Sequence, residues 1–425
     1  MKVLMINHIL LGEENATGIS LRNMLLGIPD MEYMQFCMDC RRDGHTELVD
    51  TIYLDKNDRL TDQFKGLFFK KASPPAKAVS AELSGAFGTS PLREALQGAA
   101  DVLPCRLSKT NFEKIRQFAP DIIYTLGGNI RIMRMASKIS ELFAIPVVFH
   151  CMDDWRSTMY TSSPLAMPFH FILQKECERL HSRSVINLGI CEKMAEFYSA
   201  EYHKPYSHVC NCVLRLNEEP YRPDASAPLK ILFSGGLHFH RGERLQQIGE
   251  LIEALNREGC AIELYVFAPP AQAQVYAPRY ESLEHTHCLP YVEAEKQMEN
   301  LMSADILLHA ESDNEADNRY MRYSFSTKLV EYFAAGRCVL GFGDRSLSSI
   351  EYIEKSGCGM AAENLEQLRS CLMKLYANGE LRSAFAKNAV KTAREKHSQK
   401  AVQAVIRDTF LKAKENYAKE NLPKC

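Results

Sequence analysis

Short, strand-like apolar runs recur along this chain, and each is followed by a stretch with helical periodicity. In the first half the runs lie at 3–9, 121–126, 147–150 and 185–190; in the second they lie at 229–234, 262–268, 305–309 and 337–341. Runs that do not alternate apolar with polar residues suit strands buried on both faces of a parallel sheet. Strands alternating with helices imply doubly wound α/β sheets. A length of 425 residues exceeds one ordinary core and suits two domains of roughly 200 residues each. Between the halves, the polar segment 217–228 carries Pro220, Pro223 and Pro228, a linker composition. The expected division is 1–214 and 215–395. A helical tail, broken near His397-Ser398, is expected to cross back at 396–425 onto the first domain.

Charge excludes one class of partner. Lys and Arg number 51 against 53 Asp and Glu, so the basic excess of a nucleic-acid-binding protein is missing. The 14 cysteines are scattered, several within apolar stretches such as those around Cys151, Cys191 and Cys338. Cys37-Met-Asp-Cys40 has no second pair at zinc-ribbon spacing, and His285, His287 and Cys288 have no fourth ligand nearby. No metal site is expected, and a reduced, cytoplasmic setting is. Met1-Lys-Val-Leu-Met-Ile-Asn-His8 reads as a first strand, not a leader, and no apolar run approaches the ~18–20 residues that span a bilayer. The stretch 64–77, with Phe68, Phe69, Lys65, Lys70, Lys71 and Lys77, reads as a surface excursion or as a basic-aromatic patch for peripheral membrane contact.

Two segments carry chemistry. In Ile231-Leu-Phe-Ser-Gly-Gly-Leu-His-Phe-His-Arg-Gly-Glu243, a buried strand ends at Gly235-Gly236 and an amphipathic helix begins near Glu243, with Leu245, Ile248, Ile252 and Leu255 on one face. Glycines at a strand's carboxyl end admit a ligand close to the backbone, the helix start offers N–H groups to an anion, and Arg241 adds a cationic fork for phosphate. The alternative is an ordinary tight turn. In Tyr323-Ser-Phe-Ser-Thr-Lys-Leu-Val-Glu-Tyr-Phe-Ala-Ala-Gly336, Ser326 or Thr327 is a natural N-cap and Gly336 a stop. Lys328 then falls in the first turn, where the helix dipole disfavours a cation unless an anion joins it. Glu331 shares its face, which suits either a ribose-binding carboxylate or a plain i,i+3 ion pair.

These motifs resemble the donor domain of GT-B glycosyltransferases, in particular the retaining glycosyltransferase family four. Gly235-Gly-Leu-His-Phe-His-Arg-Gly242 is similar to the family's G-R-L-x-x-x-K-G, with Arg241 at the lysine position and Gly236 at that of the first arginine. Ser326-Thr-Lys-Leu-Val-Glu-Tyr-Phe-Ala-Ala-Gly336 resembles the P-S-K-x-x-E-Y-x-A-x-G of the capsule and polysaccharide enzymes, while Tyr323 stands where the commoner motif has its first glutamate. Leu289-Pro-Tyr-Val292, Ala304-Asp-Ile-Leu-Leu308, Gly189-Ile-Cys-Glu-Lys-Met194, Asn211-Cys-Val213 and Pro146–Trp155 fit the same template.

The resemblance implies two Rossmann-like domains facing a cleft, with a nucleotide-diphosphate sugar held in the second. Its contacts would be Gly235, Gly236, Arg241, Tyr291, Ser326, Thr327, Lys328 and Glu331, with Gly12 approaching from the first domain. The implied reaction is transfer to a glycan or lipid-linked hydroxyl, with retention and without metal or other cofactor. Arg241 and Lys328 would stabilise the leaving diphosphate; His150, Asp153 and Asp154 are candidates for orienting the acceptor, or else structural. A transferase-like subunit without activity and a sugar-nucleotide epimerase are the alternatives. A dehydrogenase is disfavoured, since no G-x-G-x-x-G follows a predicted strand.

Overall fold

The computed structural model describes residues 1–12, 15–38, 48–54, 91–224 and 226–421. The segment 64–77 and Cys40 therefore lie outside the described residues. Two compact units emerge. The first contains the described residues up to Cys212 and those from Gln399 onward; the second is Val213–Ser398. Val213 and Ser398, the two ends of the second unit, pair in a parallel bridge, and the Val213 N–H donates to the His397 carbonyl at 2.9 Å.

The first unit is built on a sheet of β1 (Lys2–Asn7), β2 (Glu32–Cys37), β3 (Asp50–Tyr53), β4 (Ile122–Thr125), β5 (Val147–Cys151), β6 (Asn187–Gly189) and β7 (Tyr206–His208). The strands are all parallel and run in the order β3-β2-β1-β4-β5-β6-β7. The second unit has β8 (Leu229–Ser234), β9 (Ile262–Ala268), β10 (Thr286–Pro290), β11 (Ile306–Ala310), β12 (Cys338–Phe342) and β13 (Gly359–Ala362), in the order β10-β9-β8-β11-β12-β13. Both sheets carry the doubly wound order in which the direction of winding reverses beside the first strand. Ligands of such sheets bind at that reversal, beyond the strands' carboxyl ends.

The central strands are fully buried, as continuous apolar runs demand: Ile231, Leu232 and Phe233 of β8 and Ile306–Ala310 of β11 are at most 1% exposed. Five strands had no signal of that kind. β3 and β7 are short, and β10 is an edge strand ending in Leu289 and Pro290, both exposed. β2 interrupts its apolar residues with Gln35, which is buried because its amide donates to the Ile9 carbonyl and accepts from the Leu11 N–H. β13 is Gly-Met-Ala-Ala, with no β-branched residue. Gly359 there meets the neighbouring backbone, since a Cβ would stand 1.7 Å from the Val339 carbonyl oxygen. Gly359→Ala is expected to lower stability by about 1–3 kcal/mol through a forced shift of β13. The urea midpoint reads this directly, and an unchanged midpoint would contradict the seating of β13 on β12.

The C-terminal region turns on one break. Helix Gly379–Thr392 passes into a π-helical turn, Ala393–His397, and stops at extended Ser398. Helix Gln399–Asn421 then packs on the first unit, burying Val402, Ile406, Phe410 and Ala413 against a cluster that includes Met24, Leu25 and Tyr124. The spacing of 4, 4 and 3 places these four on one helical face. No described helix is long and apolar enough to cross a membrane.

Candidate functional site

The two segments singled out in the second half meet at the sheet reversal of the second unit. β8 delivers Ser234-Gly235-Gly236 to its carboxyl end, and neighbouring β11 delivers Glu311. Helix Thr327–Ala334 is fastened there by Tyr332, whose buried hydroxyl accepts from the Ser234 N–H at 2.9 Å and donates to the Ser234 carbonyl at 3.2 Å. At its far end Gly336 adopts φ +65°, the left-handed stop. Asn217 of the linker closes that end too: its N–H donates to the Ala334 carbonyl and its side-chain amide to the Ala335 carbonyl.

The start of this helix is open. Ser326 occupies the N-cap position, yet neither its hydroxyl nor that of Thr327 caps, while the Ser326 N–H donates to Ser349 Oγ at 2.9 Å. The first-turn lysine is the consequential residue. Lys328 Nζ is sequestered without a hydrogen-bond partner and sits 4.4 Å from the centre of the Phe233 ring. Burial, then the nearby Arg241 charge, push its pKa down to about 7, against the pull of Glu311 and Glu331. The bare Gly235 lets Nζ come this close, since a Cβ there would lie 2.6 Å from it. Glu331 is raised by burial, which outweighs the opposing Lys328.

Arg241 differs from the free phosphate fork expected. It is 7% exposed, and its guanidinium donates through Nε and Nη2 to Glu311 Oε2 at 2.9 and 2.6 Å. Burial alone would raise the Glu311 carboxyl, but Arg241, then His309, then Lys328 hold it well below the usual carboxylate range. His309 Nε2 lies 3.0 Å from Glu311 Oε1 without hydrogen-bond geometry, and burial lowers the His309 pKa. Helix Arg241–Arg257 begins two residues earlier than expected, after Phe239 and His240, both left-handed at φ 57° and 52°. Two of its N-terminal donors are already used, Arg241 N–H by the His238 carbonyl and Gly242 N–H by that of Leu237. An anion therefore finds the freer donors at the helix of Lys328. Beyond β10, Tyr291 is 41% exposed, but burial of its hydroxyl, then Glu331, raise it to about 12.

Candidates in the first unit fare differently. His150 lies within β5, fully buried, with Nδ1 2.8 Å from the Tyr124 hydroxyl; burial lowers its pKa to about 4, against a bond with the Val209 backbone. It is a neutral core histidine, not an acceptor group, because the sheet face it occupies is packed. Asp154 is also buried, and its carboxylate accepts from the Tyr198 hydroxyl at 2.5 Å. Asp153 lines a small cavity with Trp155, Arg156, Tyr198 and Tyr202. Gly12 serves a turn: its φ is +80° and its N–H donates to the Gly18 carbonyl. Asn15 caps the following helix, its side chain accepting from Gly18 N–H at 2.8 Å.

Glu311 and His238 escaped the sequence reading. For Glu311 the available signal was a carboxylate placed immediately after a buried strand. His238 had none beyond its place in the glycine loop.

No protein-family model matches this sequence, and no curated protein matches it. Solved structures do. HepE of Anabaena in complex with UDP is 10% identical with a TM-score of 0.60, covering 97% of this chain and 100% of that one. Sucrose-phosphate synthase from Thermosynechococcus elongatus is 10% identical with a TM-score of 0.61, covering 97% and 98%. WaaG, a glycosyltransferase involved in lipopolysaccharide biosynthesis, is 13% identical with a TM-score of 0.52, covering 97% and 99%. At such identities the likeness is one of fold: the chain carries the pair of Rossmann-like domains that defines the GT-B architecture.

Proposed function

We propose that this chain transfers a sugar from a nucleoside diphosphate sugar to a hydroxyl acceptor, with the donor held at the sheet reversal of the second unit. The observation carrying this reading is Lys328: a buried ammonium without a hydrogen-bond partner, beside Arg241, at an uncapped helix start. A diphosphate supplies what Lys328 lacks, acceptor oxygens for its unpaired Nζ, and adds negative charge at the helix start. When the bond from anomeric carbon to diphosphate breaks, charge builds on the leaving oxygen. Cations already in place there stabilise the transition state without reorganising. Arg241 and Lys328 fill that role in place of a metal, so transfer is expected to persist in EDTA.

Glu331, on the face of Lys328, suits the vicinal hydroxyls of a ribose, and exposed Tyr291 suits the base. HepE has been crystallised with UDP and with UDP-glucose, which makes UDP the first nucleotide to test here. The 326–336 motif supports a retaining enzyme of the family-four type, acting on a glycan or lipid-linked glycan, and the scattered cysteines suit a cytoplasmic setting.

Thermal stability against a panel of nucleoside diphosphates tests the donor site. A ligand that binds only the folded state, at 100 times its Kd, adds about 2.7 kcal/mol. Stabilisation by one base, unaffected by EDTA and followed by donor hydrolysis or transfer, is the expected result. Failure of every nucleotide would overturn the reading. Interconversion of free nucleotide sugar without an acceptor would point to an epimerase.

A further inference from the structure

We infer that His238 is a phosphate-contacting residue of the donor site, its neutral imidazole presenting an Nδ1–H donor at the two-glycine turn opposite Lys328. This inference rests on the donor site proposed above and adds a residue and a protonation state to it.

The tautomer follows from the partners. Arg241 Nη1 lies 3.3 Å from His238 Nε2. A guanidinium only donates, so Nε2 must carry its lone pair toward Arg241, and the ring proton is then on Nδ1. No described residue accepts a hydrogen bond from Nδ1. The position of that nitrogen is equally specific. A Cβ on Gly236 would lie 2.5 Å from Nδ1 and Cε1 of His238, while a Cβ on Gly235 would lie 2.6 Å from Lys328 Nζ. Two adjacent bare backbone positions are thus each met by a polar nitrogen whose hydrogen has no partner among the described residues. An anion resting on this turn can take both.

The ring is held there. Phe239 and His240, next in the chain, adopt consecutive left-handed conformations that non-glycine residues avoid. Such strain persists only where the surroundings fix it. Here the His240 ring bonds Asp317 at 2.7 Å and the Phe239 ring stacks on Tyr320 at 5.9 Å between centroids, fastening the turn to helix Glu315–Met321. The charged groups around His238 keep it neutral. Burial, then Arg241 of its own loop and Lys328 of the facing helix, lower its pKa to about 4, against Glu311 after β11 and Asp317. A neutral donor beside two cations suits a diphosphate better than a third cation, because it adds a hydrogen bond without adding repulsion in the empty site.

Calorimetric titration with UDP and UMP on the full chain tests this. His238→Phe keeps a ring over Gly236 but removes the donor; His238→Gln restores an N–H donor. The expected result is a loss of UDP affinity on the order of 10–100-fold in His238→Phe, the range for a hydrogen bond to a charged group. UMP affinity should fall less, His238→Gln should recover most of the loss, and the melting temperature should hold. Unchanged UDP affinity in His238→Phe overturns the inference. So does equal loss in both variants, which would mean the ring acts only by packing. If the wild type binds no nucleoside diphosphate at all, the donor-site reading itself falls, a result distinct from either.

Discussion

Lys328→Met is expected to abolish most nucleotide-dependent activity, by 10²–10³-fold, while leaving the ligand-free protein as stable as the wild type or more so. The first part follows from removing one preorganised cation from a developing phosphate charge. The second follows from what Lys328 is in the empty site: an ammonium sequestered without a hydrogen bond, repelled by Arg241. Replacing a buried charge by an apolar side chain of similar length removes a desolvation penalty. Turnover and thermal unfolding of the same preparation check both halves. Parallel loss of activity and stability would show that Lys328 is structural. The pKa near 7 adds a pH signature. Lowering a lysine below its unfolded value means the unfolded chain binds more protons between about pH 7 and 10.4, so ligand-free stability gains from this group as pH rises through that window. Diphosphate binding runs the other way, because it selects the ammonium form. Affinity is expected to fall as pH rises above about 7, and to lose that slope in Lys328→Met.

Glu311→Leu is expected to destabilise the second unit by about 3–5 kcal/mol, the range for a buried pair that loses one partner. Arg241 and Glu311 are 7% and 3% exposed, and the guanidinium places two of its nitrogens on one carboxylate oxygen. Without Glu311 that charge is left in a packed site beside Lys328. The double variant Arg241→Met, Glu311→Leu should recover most of the stability and none of the nucleotide binding. Urea unfolding of the three variants gives the coupling, and additive losses would refute the pairing. Because the Glu311 carboxyl is held below its usual range, the stability it contributes is present above the unfolded pKa near 4.3 and drains away as pH falls below it. Glu311→Leu should lack that acid-side loss.

The fold was legible where burial writes itself into composition. β8 and β9 begin and end at 229–234 and 262–268, as their apolar runs do, because strands covered on both faces are mostly apolar, with Lys230 and Glu263 admitted only where the strand is partly exposed. β7 and β10 left weaker marks, since an edge strand meets solvent and one side of its ladder is free. Gln35 shows the other limit: a buried amide looks polar in a sequence, and only the Ile9 and Leu11 backbone explains its burial.

For the site, the sequence by itself determined that Gly235, Gly236, Arg241 and Lys328 lie at the ends of secondary structure, with Glu331 one turn into its helix, since strand, turn and helix signals are local. That Lys328 breaks a helix-start rule was also readable from the sequence. Tertiary structure decided what those residues do with their charge. Arg241 reads as a free cation until Glu311, seventy residues on, is brought beside it by the adjacency of β8 and β11. His150 reads as a group at a strand end until Tyr124 and the packed face of β5 enclose it. The difference is physical. Propensity and periodicity act within a turn or two of the chain, whereas desolvation and pairing depend on which distant residues fill the same few ångströms.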